Sequence, residues 1–397
     1  MREGGQGRGG RLVSRQDRKA KQAGLRQSLE EKKNVNGIDS KGLTKLPVIY
    51  TDGPVISRDG ALMAEGLVME SDATSLYLTT AAPDIARSGS KAFAEGAAGG
   101  LALAGTAADS VVESIRAIDK RLGWLSFGRV SGGKMRYETG SNIDMNSLSL
   151  AAGIGRGMDA GAGLLTVGGF FEYGTGSFTT HNSFEKRTDV DGDGQSKYMG
   201  GGIFAKMDFE NTGPGHFHAD ISAHMGTMHT SYDSNDITDS DGRVATFESD
   251  TPYYGINGTL GYELELGDRR LIDLYGQHIW TKVEGSNVDI STGNIFQFDD
   301  MNSNRLRLGA TYTYKGNSFF KPYVGAACEH EYSGRCESTT TGRDVDAPSF
   351  YGDSFMGELG LRTVPTKDLP LTINLGVQGF TGQKNGVSGN VFFRYDF

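Results

Sequence analysis

From Trp124 to Phe397 the sequence alternates between apolar and polar residues with a period of two, and no other feature constrains the fold as strongly. The segment near 216–225 illustrates the pattern, because its apolar and polar residues strictly alternate. The apolar series is Phe217, Ala219, Ile221, Ala223 and Met225, and the polar series is His216, His218, Asp220, Ser222 and His224. Successive side chains of a strand point to opposite faces, so the pattern predicts strands with one apolar and one polar face.

Twelve segments carry this pattern. They lie near 124–137, 142–156, 161–180, 195–209, 216–232, 251–266, 270–283, 302–315, 319–333, 352–364, 370–381 and 387–397. An even number of antiparallel strands places both ends of the strand region on the same side of a sheet or barrel.

A soluble β-sandwich also alternates, so the loops decide between the two architectures. Short connections are predicted at 157–160, 210–215, 267–269, 316–318 and 365–369, and long ones at 181–194, 233–250, 284–301 and 334–351. Short turns at one end and long loops at the other are typical of outer-membrane barrels. Residues 123–397 are therefore predicted to form an all-β, 12-stranded antiparallel transmembrane β-barrel in a bacterial outer membrane.

Two further features favour a membrane barrel. The polar faces carry glycines and charges, as a hydrated lumen would, and glycine is abundant at 59 of 397 residues. Aromatic residues lie toward the ends of the apolar faces, where interfacial girdles occur. They are Tyr173, Tyr254, Tyr312, Tyr314, Tyr395 and Phe397.

The period changes before the barrel. Over 84–122, Val111, Val112, Ile115, Ile118 and Leu122 recur at helical spacing, and Pro83-Asp84 can begin a helix. The part from Glu95 to Ala108 is rich in small residues, so the helix would be slender enough for a confined space. We predict an N-terminal α-helix through the lumen; an ordinary packing helix is the alternative.

The first 83 residues divide in two. Residues 1–43 are polar and basic, which indicates a disordered segment or a misplaced start, since no apolar signal-peptide core is present. The alternative to a misplaced start is that the chain is the last part of a longer gene product. Residues 44–83 contain short strand candidates at Leu46–Tyr50, Gly53–Ile56 and Ser75–Leu78, which indicate a remnant of a passenger or stalk, or a linker.

Several motifs together are specific to one family. Gly169-Phe-Phe-Glu-Tyr-Gly174, Arg305-Leu-Arg-Leu-Gly-Ala310 with Pro322–Gly334, and Gly357-Glu-Leu-Gly360 with Leu375–Gly382 follow one another at the spacing of its strands. On these motifs, residues 113–397 resemble the autotransporter β-domain, the translocator of type V secretion. The resemblance implies a translocator and anchor that exports an N-terminal passenger and displays it at the cell surface.

The resemblance also implies partners. They are outer-membrane lipid, the chain's own passenger, and the barrel-assembly machinery, which would read a C-terminal strand with Val391, Phe393, Tyr395 and Phe397 on one face. A monomeric barrel without cofactor or enzymatic activity is expected. Some family members cut their passenger at an Asn pair in the helix; no Asn occurs between Asp84 and Leu122, so self-cleavage is not expected here.

Charged residues with inward parity are candidates for lining the lumen and holding the helix. They are Glu172, Glu263, Glu265, Arg305, Arg307, Glu329, Glu331, Glu358 and Arg362.

Other chemistry is weaker. Asp189-Val-Asp-Gly-Asp-Gly194 begins like an EF-hand loop, but Gly200 occupies the position of the bidentate Glu, so an exposed loop is predicted instead. The histidines of segment 216–232 could suit a metal, yet a polar lumenal face explains them. A passive porin and a barrel enzyme of protease or lipase type remain as alternatives. A net charge of −9 argues against nucleic-acid binding, and Cys328 and Cys336 are expected to be free thiols.

Overall fold

The computed structural model describes residues 46–50, 67–71, 75–80 and 83–397, except 184–188, 211–212, 239–241, 268, 294, 317–318, 341–342 and 365–368. The chain divides into two compact units, Met1–Arg87 and Ser88–Phe397. The predicted segment 1–43 and the strand candidate Gly53–Ile56 lie outside the described residues.

The first unit contains three short antiparallel strands. They are β1 (Leu46–Tyr50), β2 (Leu67–Ser71) and β3 (Ser75–Thr80), with β3 in the middle. Two of the three were predicted from β-branched and aromatic residues. The strand at Leu67–Ser71 was missed.

The second unit is a closed barrel of twelve antiparallel strands, as predicted. The barrel strands, numbered with the whole chain, are β4 (Gly123–Glu138), β5 (Asn142–Asp159), β6 (Gly163–Asn182), β7 (Val190–Phe209), β8 (Gly215–Thr238), β9 (Val244–Glu265), β10 (Arg270–Val283), β13 (Met301–Tyr314), β14 (Phe320–Glu331), β17 (Gly352–Thr363), β18 (Leu371–Gly382) and β19 (Lys384–Asp396). The last strand pairs with the first, for example Val391 with Val130, so the sheet has no free edge. Closure satisfies the backbone hydrogen bonds within the barrel, which lipid requires.

Side-chain exposure follows the predicted alternation. On β8, Ile221 and Met225 are 59% and 61% exposed, whereas His218 and Asp220 on the other face are 3% and 7% exposed. The apolar face therefore forms the outer wall and the polar face lines the lumen. A large exposed apolar surface of this kind is stable only when lipid covers it.

Two predicted long loops prove to be mostly strand. The ladder between β6 and β7 continues to the pair Asn182 and Val190, and the ladder between β8 and β9 includes Asp233 with Thr246. The predicted exposed loop Asp189–Gly194 therefore belongs largely to β7. Backbone pairing extends these hairpins beyond the apolar wall, so the alternation ends while the strands continue.

The two remaining long loops form a small sheet at the same end of the barrel. Its strands are β11 (Ser286–Asp289), β12 (Ile295–Phe298), β15 (Ser338–Thr340) and β16 (Arg343–Asp344), which pair in that order. We call this sheet the cap. The short connections, which join β5 to β6, β7 to β8, β9 to β10, β13 to β14 and β17 to β18, are at the opposite end of these strands.

In the part of the chain that the structure describes, one helix, α1 (Pro83–Arg116), precedes the barrel. It ends six residues before the predicted boundary at Leu122, which is 64% exposed instead of packed. Residues 117–122 connect the helix to β4, which begins at Gly123 with a φ of +104° that a side chain would strain. Among the described residues, no helix is both long and apolar enough to cross a membrane.

Candidate functional site: the occupied barrel lumen

Helix α1 fills the lumen, and its small residues make this possible. Ala94, Ala98 and Ala104 are fully buried. At Gly99 an added Cβ would come within 2.3 Å of the Phe178 ring on β6, so only glycine fits this close approach. The run of small residues therefore sets the helix diameter to the width of the barrel.

A cluster of charges, in which Asp109 is partly buried and its partners are buried, joins the helix to the wall. Asp109 of α1 accepts hydrogen bonds from Arg305 at 2.9 Å and from Arg307 at 2.7 Å, both on β13. Lys384 of β19 lies 3.4 Å from the same carboxylate. Glu329 of β14 accepts a hydrogen bond from Arg307 at 2.6 Å. The three cations of β13 and β19 and the two carboxylates therefore form one network. We call these five residues the anchor cluster.

A second set of ion pairs lies at least one helical turn beyond the anchor cluster, closer to the short-turn end of the barrel. Arg116 pairs with Glu113 at 3.2 Å within the helix and lies 3.7 Å from Glu358 of β17. Beyond the helix, Asp119 accepts a hydrogen bond from Arg362 at 2.6 Å. Arg305, Arg307, Glu329, Glu358 and Arg362, all predicted from strand parity, thus lie in networks that include helix or linker residues.

The other four predicted charges are held differently. The hydrogen bonds and ion pairs found for them join them to the barrel, not to α1: Glu172 bonds His224 and Tyr253, Glu263 lies near His216, Glu265 near Lys315, and Glu331 bonds Ser303 and Asn304. The alternation along a strand shows that a side chain points into the lumen. It does not show which part of α1, if any, that side chain contacts. These contacts suit the lumen-lining alternative of the prediction, and a role of Glu331 in holding the helix stays a prediction.

Residues that the sequence did not single out complete the site. Asp109, Glu113 and Arg116 recur at helical spacing on α1, which was the available signal. Lys206 of β7 donates from Nζ to the carbonyl oxygens of Arg116 at 3.3 Å and Ile118 at 2.5 Å. A cation at this position satisfies orphan carbonyls at the helix C-terminus and complements the helix dipole.

The charged short-turn end of the lumen contains a cavity of about 360 Å³. Asp119, Lys206, His216 and Asp273 are among its lining residues. The helix therefore occupies the lumen but leaves room for water below its C-terminus.

The cap closes the long-loop end over the part of the helix near Phe93. Phe93 of α1 packs against Phe296 of β12 at 5.2 Å between ring centroids, against Phe247 at 6.0 Å and against Tyr232 at 5.9 Å. These aromatic contacts belong to one buried cluster that also contains Cys336. The helix is thus held by apolar contacts at this end and by charges further down.

Glu95 lies inside the apolar contacts of the cap and is fully buried. The Thr139 hydroxyl, in the connection after β4, donates to the carboxylate at 2.8–2.9 Å. Burial raises the pKa of Glu95 from 4.5 to about 7, against the smaller opposing effect of the Thr139 hydrogen bond. This carboxyl therefore titrates near neutral pH.

Both cysteines are free, as expected. Cys328 is exposed on the wall, and Cys336 is buried in the cap, where loss of solvation raises the pKa of its thiol. Within the described part of the chain, no group of three or more His, Cys, Asp or Glu residues has metal-binding geometry. The lumenal histidines have carboxylate neighbours instead, such as His218 with Asp273 at 2.8 Å.

The C-terminal strand presents an apolar face to the exterior. Val391, Phe393 and Tyr395 alternate outward at 43%, 47% and 39% exposed, and Phe397 follows at 63%. The amide of Phe397 donates to the carbonyl of Trp124 at 2.9 Å, which ties the C-terminus to the first barrel strand.

A closed barrel with an apolar outer wall, a charged lumen and a helix of its own chain through that lumen is an outer-membrane translocator. The chain belongs to the autotransporter β-domain family, whose model matches residues 126–376. The chain therefore contains the outer-membrane translocator domain of this family, whose barrels are generally non-enzymatic.

Solved structures agree on the fold. The β-domain of the Bordetella autotransporter BrkA matches with a TM-score of 0.53 at 16% identity, over 69% of this chain and 100% of that one. The translocator domain of NalP from Neisseria meningitidis matches with a TM-score of 0.55 at 14% identity, over 77% and 99%. The transport unit of AIDA-I from Escherichia coli gives 0.53 at 16%, over 74% and 97%.

One curated relative is the uncharacterized protein YaiT of Salmonella typhimurium, 24% identical over 231 residues. The match covers 56% of this chain and 21% of the relative. The chain thus spans about a fifth of the length of that relative.

Proposed function

We propose that the barrel displays the segment N-terminal to α1 at the cell surface and that α1 remains in the lumen as a permanent tether. The observation that carries the proposal is the bonding of Asp109 to Arg305 and Arg307. Pulling the helix out would leave Glu329 as the one acidic partner of these buried cations within the anchor cluster, which is costly. A helix held in this way anchors whatever precedes it.

The direction of display follows from the loops. Phe93 of α1 lies under the cap, at the long-loop end, and long loops face the cell exterior in outer-membrane barrels. In this proposal residues 84–122 are the tether and residues 44–83 are the remnant of a stalk or passenger. The porin alternative needs an open pore, whereas α1 occupies this lumen.

Retention without cleavage is part of the proposal. The sequence between Asp84 and Leu122 contains no Asn, the residue at which cleaving relatives were expected to cut. Glu172 lies in the lumen but bonds His224 and Tyr253 on the barrel. We infer that the passenger stays covalently attached.

The proposed partners follow from the surfaces. Lipid covers the apolar wall. The barrel-assembly machinery recognises the outward face of β19 together with Phe397, the residue that follows this strand. The barrel acts as a monomer.

Surface display can be tested on intact cells. The full chain, expressed behind a secretion leader, would carry an epitope tag before Met1 in one version and in the turn 160–162 in a matched control. An antibody should bind the first version on intact cells and the control only after lysis. An N-terminal tag that becomes accessible only after lysis would overturn the proposal, and a tag released from the barrel would overturn permanent tethering.

A further inference from the structure

The outer wall from β5 to β9 contains a hollow. Along one row of paired residues, large and small side chains alternate across the strands. The row is Ile154, Gly169, Ile203, Ala223 and Ile256. The hollow over its small members has a volume of about 820 Å³, within the range of about 300–1,000 Å³ that is usual for ligand sites.

A cation stands at one end of the hollow. Arg156 occupies an outward position of β5 between Ile154 and Met158 and is exposed. Its guanidinium lies 5.6 Å from the centre of the Trp124 ring. In the part of the chain that the structure describes, no carboxylate forms an ion pair with this guanidinium.

The position of Arg156 along the membrane normal indicates which anionic group pairs with it. It lies near the short-turn end of β5, which finishes at Asp159, and Trp124 is the second residue of β4. Tryptophan favours the membrane interface, and a lipid-facing arginine costs about 0–1 kcal/mol there but about 2–4 kcal/mol at the midplane. Phospholipid phosphates lie at this interface, and guanidinium groups bind phosphate with two parallel hydrogen bonds.

We propose that this hollow is a binding site for one glycerophospholipid of the periplasmic leaflet. Its phosphate is bound by Arg156, and an acyl chain lies against Gly169, Ala205 and Ala223 between the isoleucines. A protein partner would have to bring an acidic group to this level of the membrane to pair with Arg156. A phospholipid has its phosphate at that level already.

Two variants separate the parts of the site. Arg156→Gln removes the charge and keeps a polar side chain. Gly169→Leu fills the hollow, and it is sterically permitted because the nearest atom to an added Cβ is the carbonyl oxygen of Gly202 at 3.4 Å. Matched controls are Lys134→Gln, an exposed cation near the other end of β4, and Gly357→Leu on β17, where nothing lies within 4 Å of an added Cβ.

The test is native mass spectrometry of the full chain in detergent with a defined diacyl phosphatidylglycerol, after a heat-modifiable band has shown that each variant is folded. We expect one retained lipid on the wild type and on both controls. Arg156→Gln should weaken binding about tenfold, as expected for loss of a charge-assisted hydrogen bond, and Gly169→Leu should abolish it. Absence of retained lipid on the wild type, equal retention by all variants, or a dimer in place of the lipid complex would overturn the proposal.

Discussion

Arg307 of the barrel wall and Asp109 of the lumenal helix are joined by a hydrogen bond of 2.7 Å, although their positions are 198 residues apart in the chain. The Arg307 side chain is 2% exposed and also bonds Glu329 at 2.6 Å. One buried guanidinium therefore links the helix to two adjacent strands. This contact makes the helix part of the barrel and not a loosely held plug.

The first prediction concerns Asp109. Replacing Asp109 with Asn leaves Arg305, Arg307 and Lys384 with only one acidic partner in the anchor cluster, and removing one member of a buried ion pair costs about 3–5 kcal/mol. We expect the helix to leave the lumen more often, so the mean conductance in planar bilayers should rise. Asp346→Asn, in an exposed part of the cap loop, is the control. Equal conductance for both variants and the wild type would show that the anchor cluster does not retain the helix.

The second prediction concerns Glu95. Its folded pKa of about 7 exceeds its ordinary value of 4.5, so the folded chain binds the proton more tightly than the unfolded chain. The associated stabilisation is complete below pH 4.5 and is lost as the pH rises to about 7. At about 1.4 kcal/mol per pH unit, the loss is roughly 3 kcal/mol. The cap should therefore loosen between mildly acidic and mildly alkaline pH.

Amide hydrogen exchange of residues 92–98, compared between wild type and Glu95→Gln at each pH, measures this effect. We expect faster exchange in the wild type at pH 8 and similar exchange in the two proteins at pH 5. A wild-type-to-variant ratio that does not change with pH would contradict the assignment.

The third prediction concerns Lys206. Its two hydrogen bonds to the end of α1 involve a charged donor, and such bonds contribute about 1.5–3 kcal/mol each. Lys206→Gln should accelerate amide exchange at residues 113–118 while the rest of α1 stays protected. Lys197→Gln, on the outward face of the same strand, should change nothing. Uniform acceleration along α1 would instead indicate a general loss of barrel stability.

The fourth prediction separates recognition of Phe397 from its packing. Phe397 is 63% exposed and is tied to Trp124 by its backbone, so Phe397→Ser removes little buried surface. We expect purified Phe397→Ser to refold in detergent like the wild type but to accumulate poorly as a folded band in cells. Phe397→Tyr keeps the aromatic ring and should assemble normally. Equal defects in cells and in detergent would mean that the residue acts through stability alone.

The periodic part of the fold could be predicted because a membrane barrel imposes it on every strand. Within the membrane, outward side chains contact lipid and inward side chains face the lumen. Neighbouring residues such as Ile221 and Asp220 therefore differ in polarity. The twelve strands, the inward charges and the lumenal helix followed from this rule and from the change of period. The extended hairpins of β6–β7 and β8–β9 did not, because outside the membrane nothing enforces alternation.

What the sequence alone determined, then, is which face each residue occupies. Which partner it meets was decided only by the tertiary structure. Arg307 and Glu331 have the same inward parity, yet Arg307 bonds Asp109 of the helix whereas Glu331 bonds Ser303 of the wall. The difference arises from the register of the paired strands and from which residue of the helix faces each inward position. Both depend on contacts between residues far apart in the chain, and no local pattern encodes them.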